Sequence, residues 1–530
     1  MKSKLTVAEY LVSRLEDAGV EYVFGYPGEQ VLNIYEALRS SGIKHVLMGH
    51  EQGAVHAADV YARVTGRCGV CLTTAGPGAL NTVMGVGTAY KDNVPLIVIT
   101  GDVCVDSKGS DHFQDIDLNA VFKPITIKSF YVSSCEVLDN CIEEIFSSMS
   151  DGVTGPFHIN IAKDVQNELM NTDHRIIRRS KVKGVSEKSI LDTVRLIDES
   201  ERPLIIAGSG VIYADSVDEL KVFVKKTGIP LTTTFHARGV ISEDDPMNLG
   251  LTGARTTSKA EYATENADLI LALGTRLSER TLKHVRCDNI VQVNTNKEHK
   301  YADNFHHANV KDFLDNLNKN DFMVNTASWL NDISHVHDEI NHAVRTNGDL
   351  IHPEDAVMEV VNRMDDRVTV VLDAGTTPTY YTINTNVKKP SQIVFSGGLA
   401  PMGYALPGSI GASFARPNDI IIAATGDGAI QMTIEELAVI SRYDLPVIIV
   451  VINNNLLGII KQWQDMNDYP NYQVKMTNPD FVAIAQAYGI EASNITSLDD
   501  FGDRLDKAIS DGKPYLFNVL VGDVPIPLPR

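Results

Sequence analysis

Short apolar runs recur along this 530-residue chain, and the stretches between them are long enough for one helix each. Residues 22–25, 46–48, 70–73 and 96–100 are four such runs near the N-terminus. Short continuous apolar runs suit strands buried on both faces. Their alternation with helix-like segments predicts a parallel sheet with helices on both sides. A chain of this length, 44% hydrophobic and 22% charged, can bury enough surface to fold without staples. The formal net charge of −21 repels phosphate backbones and argues against nucleic acid as a partner, while leaving room for a local small-anion site.

The N-terminal residues lack the apolar core and cleavage site of a signal peptide. No run reaches the roughly 18 apolar residues of a membrane span. Six cysteines do not make a disulfide framework, so a cytoplasmic protein with reduced thiols is expected. Cys68 and Cys71 form a C-x-x-C pattern in a β-like run, where positions three apart face opposite sides. They read as small buried residues rather than metal ligands. Near the start, Thr6 and Glu9 form a capping-box pattern before the helically spaced Leu11, Val12 and Leu15, and Gly19 ends that helix.

Residues 167–189 are polar and charged and read as a linker. A second α/β stretch holds apolar runs within 203–210 and 267–276. A region rich in Asn, Asp and His, about 316–353, reads as another linker. A third stretch begins near Glu354 and carries buried-strand runs at 368–372, 420–424 and 447–452. Three α/β domains follow, each with a central parallel sheet flanked by helices.

The segment TGDGAIQMTIEELAVISRYDLPVIIVVINNN is the most informative. One apolar run ends in Gly426-Asp427-Gly428 and the next in Asn453-Asn454-Asn455. Between them, Thr433 and Glu436 form a second capping-box pattern. The interval fits one strand–helix–strand crossover, which places Asp427 and Asn454 at the carboxyl ends of strands in one sheet. A carboxylate with an amide oxygen suits a hard cation such as Mg²⁺, and glycines let a backbone approach phosphates.

This pattern resembles the diphosphate and metal motif of the thiamine diphosphate enzymes. The likeness covers nearly the whole chain. VFGYPG (23–28), GHEQGAVHAADVYARVTG (49–66), the glycine-rich segment 73–102 and GPFHINIAKDVQ (155–166) resemble the pyrimidine-binding domain. SGGLAPMGYALPGSIGA (396–412) resembles the entry to the diphosphate domain. Within the superfamily the chain is most similar to the acetolactate synthase (acetohydroxyacid synthase) large catalytic subunit. The resemblance implies a thiamine diphosphate-binding fold. Its pyrimidine domain would span 1–170, a Rossmann-like central domain with an FAD- or ADP-type site 185–325, and a diphosphate and Mg²⁺ domain 350–530.

Residue by residue, Glu51 matches the glutamate that hydrogen-bonds N1′ of the aminopyrimidine and so promotes loss of the thiazolium C2 proton. Met402 matches the apolar wedge that bends the cofactor. The resemblance further places Pro27, Gly375, Thr376, Thr377, Gly398, Gly426, Gly428, Ala429, Leu457, Gly458 and Ile459 against the cofactor. Asp427, Asn454 and the carbonyl of Leu456 would hold the metal. Gly25, Gln114 and Lys123 match positions near the reacting carbon, Phe113 and Trp463 line the expected acceptor pocket, and Arg276 matches a flavin contact. Thr376-Thr377 depart from a family Gln-His, Gly250-Leu251-Thr252-Gly253 from Gly-Met-His-Gly, Asp102 from Gln, and Glu29-Gln30 from Gly-Ala.

The implied reaction is decarboxylation of pyruvate and carboligation of the two-carbon unit to a second 2-keto acid, in branched-chain amino acid biosynthesis. The departures keep a related 2-keto acid decarboxylase or 2-hydroxyacyl-CoA lyase open, as well as a non-catalytic module that retained the fold. The resemblance also implies a homodimer or homotetramer with sites at the subunit interface, and leaves room for a regulatory subunit.

Overall fold

The computed structural model describes residues 4–170, 184–337, 339–340, 342–345 and 350–528. The linker expected at 167–189 therefore lies outside the described residues over 171–183. Among the described residues the chain builds three six-stranded sheets, each with parallel pairing throughout.

The first sheet holds β1 (Tyr22–Gly25), β2 (Lys44–Leu47), β3 (Gly69–Thr73), β4 (Leu96–Asp102), β5 (Lys128–Val132) and β6 (Pro156–Ala162), in the order β2-β1-β3-β4-β6-β5. The second holds β7 (Pro203–Ala207), β8 (Leu231–Thr233), β9 (Asn248–Leu251), β10 (Leu269–Leu273), β11 (Ile290–Asn294) and β12 (Asn304–His307), in the order β12-β11-β10-β7-β8-β9. The third holds β13 (Val368–Leu372), β14 (Ile393–Val394), β15 (Ile420–Gly426), β16 (Val447–Asn453), β17 (Glu491–Ile495) and β18 (Tyr515–Leu520), in the order β14-β13-β15-β16-β18-β17. The first and third sheets thus share one topology. The second has the doubly wound order of dinucleotide-binding domains.

Outer sheets and middle sheet differ in how they are buried. The first and third share a continuous core that runs from Phe24, Val46 and Val98 to Val371, Ile421 and Val451. At its centre the helix Glu51–Thr65 lies against the helix Ala405–Ala415, which occupies the equivalent place in the third sheet. The approach is close enough that a Cβ on Gly411 would stand 2.0 Å from the carbonyl oxygen of Ala57. The middle domain has its own apolar layers, including Val211, Phe223, Leu271 and Phe313.

Arg63 joins all three domains. Its guanidinium donates to Asp59 (2.7 Å), Asp92 (2.9 Å) and the carbonyl of Phe395 in the third domain (3.4 Å). His236 of the middle domain stands 3.4 Å from Asp92, and the hydroxyl of Tyr404 donates to Asp59. Burial alone would raise the Asp92 carboxyl, but His236 and Arg63 hold it well below the usual carboxylate range.

Local signals are read differently in two places. The Thr6–Glu9 capping box forms as the sequence predicts, with Glu9 N–H donating to Thr6 Oγ1 and Thr6 N–H to Glu9 Oε2. The Thr433–Glu436 pattern does not cap: the Thr433 hydroxyl donates to the carbonyl of Gly403, and Glu436 serves another element. The second expected linker is not featureless either. It carries the helix Ala327–Ser334, whose Trp329 is buried, stacks on Tyr262 and donates from Nε1 to the carbonyl of Pro203. A few large apolar residues between polar ones suffice to fasten that segment to the middle domain.

Candidate active site

Parallel sheets bind ligands outside the carboxyl ends of their strands, at the point where strand order reverses. In the third sheet that point lies between β13 and β15. The turn after β13 carries Asp373, Gly375, Thr376 and Thr377, and the turn after β15 carries Asp427 and Gly428. Asp373 is fully buried. It accepts from the backbone N–H groups of Ala374 (2.9 Å), Gly403 (2.8 Å) and Ala405 (3.1 Å) and from the Thr425 hydroxyl (3.1 Å). One carboxylate thereby fixes three loops: the one that opens the helix Thr377–Asn384, the one that carries Met402, and the approach to Asp427. Burial pushes the Asp373 carboxyl up, against the pull of these donors.

Asp427 is 3% exposed. It accepts from Gly428 N–H (3.0 Å) and from Asn478 Nδ2 (2.7 Å), and burial raises its carboxyl. The same Asn478 amide donates to the side-chain oxygens of Asn453 and Asn455 at 3.0 Å each. Asn454 accepts from the N–H of Leu456, and Leu457 N–H and Met476 N–H pin this loop to the 474–476 strip. Met402, Leu457 and Met476 close over Gly428, within 3.3 Å of where a Cβ would stand. Cβ positions on Gly375 and Gly426 meet no atom within 4 Å.

Every residue expected on the diphosphate side, from Gly375 through Ile459, lines one cavity of about 850 Å³, together with Trp463 and Arg276. Trp463, on the helix Gly458–Met466, is 53% exposed at the edge of that cavity. The pyrimidine-side residues line none of it. Glu51, Gly25, Pro27 and Gln114 lie instead near the equivalent reversal point of the first sheet, between β1 and β3. Glu51 opens its helix with one carboxylate oxygen accepting from Asn81 Nδ2 (3.0 Å) and the other beside Gly78. Gly25 ends β1, where a Cβ would stand 2.2 Å from the carbonyl oxygen of Leu72. Pro27 continues that turn, and Gln114 packs on Gly76 with its amide oxygen 3.5 Å from Gln30 Nε2. Phe113 is 77% exposed, and Lys123 sits exposed on a short helical turn.

Comparison with known proteins matches this arrangement along the chain. Residues 5–121 match the thiamine pyrophosphate enzyme N-terminal TPP binding domain, 190–317 the central domain, and 373–519 the C-terminal TPP binding domain. The chain belongs to the thiamine pyrophosphate enzyme family. Among its relatives, the probable acetolactate synthase large subunit of Methanocaldococcus jannaschii is 35% identical over 97% of this chain and 91% of its own. Acetolactate synthase isozyme 2 large subunit of Escherichia coli is 30% identical over 98% and 96%. The chloroplastic acetolactate synthase of Arabidopsis thaliana is 34% identical over 97% and 81%.

The third domain fits the family's cofactor. Open glycine positions leave room for a diphosphate, and the Asp427 carboxylate lines the same cavity as Asn454 and Leu456, which together are a donor set for a hard cation. The middle domain offers a second crevice at its own reversal point, between β7 and β10. There the turns Gly208–Gly210 and Gly274–Arg276 approach so closely that a Cβ on Gly210 would stand 2.6 Å from the Cα of Gly274. Thr252 Oγ1 is buried along the same cavity without a hydrogen-bond partner among the described residues. Arg276 donates to the carbonyl of Lys91 (2.7 Å). This half suits an adenine dinucleotide. Sequence reasoning missed Asp373, Asn478 and Glu436. The first was findable as an acidic residue closing an apolar strand, but nothing near Asn478 marks it.

Proposed function

We propose that the chain is the catalytic large subunit of an acetolactate synthase, with thiamine diphosphate and Mg²⁺ as cofactors and FAD in the middle-domain crevice. It decarboxylates pyruvate and joins the two-carbon unit to a second 2-keto acid. Near-complete coverage by relatives called acetolactate synthase, with Glu51, Asp427 and Asn454 all present, carries this reading.

The cofactor supplies a carbanion and an electron sink. The chain supplies placement. Asp427, Asn454 and the carbonyl of Leu456 would hold the metal, and the Gly375–Thr377 turn would receive the diphosphate at the start of its helix. Met402, packed over Gly428, would be the apolar side chain against which the cofactor folds. Glu51 would hold a proton against the pyrimidine of the bound cofactor, and its side chain is 14% exposed in the single chain. In this reading Glu51, which does not line the cavity that contains Asp427, serves the cofactor of a second copy, as the family likeness implies, and the working unit is a homodimer or homotetramer. Trp463 and Phe113 then shape the acceptor pocket from the two sides of that interface, with Gly25, Gln114 and Lys123 nearby. A separate regulatory subunit is consistent with relatives described as large subunits. Among the described residues none of the six cysteines forms a disulfide, which suits the reducing cytoplasm. Among the described residues no helix is long and apolar enough to cross a membrane.

Incubation with thiamine diphosphate, Mg²⁺ and pyruvate, with and without FAD, tests the reading. Acetolactate is the expected product. Acetaldehyde alone would assign a decarboxylase instead, and no turnover of pyruvate would point to another acyl donor.

A further inference from the structure

Glu436 is fully buried, lies nine residues beyond Asp427, and does nothing for its own helix. Its two carboxylate oxygens accept one backbone N–H each from the turn that precedes Glu51: Gly49 at 3.0 Å and His50 at 3.1 Å. The carboxylate also lies flat against the first turn of the Glu51 helix. A Cβ on Gly53 would stand 1.8 Å from Glu436 Oε1, so only glycine leaves it space. Two neighbours reinforce the contact. Leu47 N–H donates to the Tyr443 hydroxyl (2.9 Å), and Arg442 donates to the carbonyl of Leu47 (3.0 Å). The segment after the Asp427 motif therefore builds the seat on which the strand-to-helix turn at Glu51 rests. Burial pushes the Glu436 carboxyl up to about 8, with the two amide donors pulling the other way. Holding a carboxyl group in such a place is costly, and an apolar residue would fill the space without that cost.

We propose that Glu436 is a positioning residue that sets the direction of the Glu51 carboxylate by clamping the Gly49 and His50 amides, and so tunes proton transfer at the cofactor. This rests on the reading of Glu51 given above.

The test uses Glu436→Gln, which puts an amide NH₂ against one of the two donors, and Gly53→Ala, which displaces the carboxylate from the other side. Amide hydrogen exchange on the cofactor-free protein reads the clamp itself: both variants should exchange faster across residues 47–53. On the loaded protein, exchange of the cofactor C2 proton into deuterated water should slow by roughly tenfold or more in both, because small misplacements of a catalytic group are costly. Affinity for thiamine diphosphate should stay within about twofold of the parent protein, since the Asp427 side of the site is untouched, and kcat should fall with KM unchanged. Unaltered amide exchange would overturn the clamp. Faster amide exchange with parental C2 exchange would overturn its positioning role. Glu51→Gln is the reference: should it leave C2 exchange intact, the reading of Glu51 itself falls and the proposal with it.

Discussion

At the residue scale, buried carboxylates that accept several backbone amides organise both halves of the site. Asp373 holds three loops at once. In Asp373→Asn one acceptor oxygen becomes an NH₂ that faces the Ala405 and Thr425 donors or the Ala374 and Gly403 pair. Loss of a charged hydrogen bond with an unpaired donor left behind is worth about 2 kcal/mol. Affinity for thiamine diphosphate in the presence of Mg²⁺ should then drop roughly thirtyfold by calorimetric titration. Parental affinity would mean that the loops are held by packing alone. Cys68 and Cys71 show the opposite use of burial. Cys71 is buried within β3 as expected, whereas Cys68 is only partly buried at the edge of the core, and desolvation still pushes its thiol up to about 12, far from the thiolate that metal binding requires.

At the element scale, the tightest joint is the crossing of the helices Glu51–Thr65 and Ala405–Ala415. Gly411→Ala would drive a methyl group into the Ala57 carbonyl, and overpacking of this kind costs about 1–3 kcal/mol. A lower denaturation midpoint should result, read by circular dichroism, and an unchanged midpoint would show that the two helices can slide apart. The strands were legible because a strand buried on both faces must be apolar along its length: the run at 368–372 is β13 itself. Asp427 and Asn454 could be placed at strand ends for the same reason. Capping signals carried less information. A Thr three residues before a Glu is a cap only when both side chains stay local, and at Thr433 and Glu436 each found a better partner far away in sequence. Contacts such as Asn478 with Asp427, 51 positions apart, leave no local trace at all.

At the scale of the whole molecule, the first and third domains are two versions of one sheet, fused through a common core, and each carries part of the candidate site near its order-reversal point. Within one chain Glu51 does not line the cavity that holds Asp427. Exposed apolar residues such as Leu80, Met84, Leu399 and Met432 lie on the segments that carry these parts, as expected where a second copy covers them. A mixing experiment separates the two arrangements. Glu51→Gln and Asp427→Asn chains should each be inactive alone. If Glu51 acts across the interface, a mixed dimer keeps one site with both groups intact, and random reassociation should restore about a quarter of parental activity. If each chain completed its own site, every site in the mixture would carry one lesion and no activity would return.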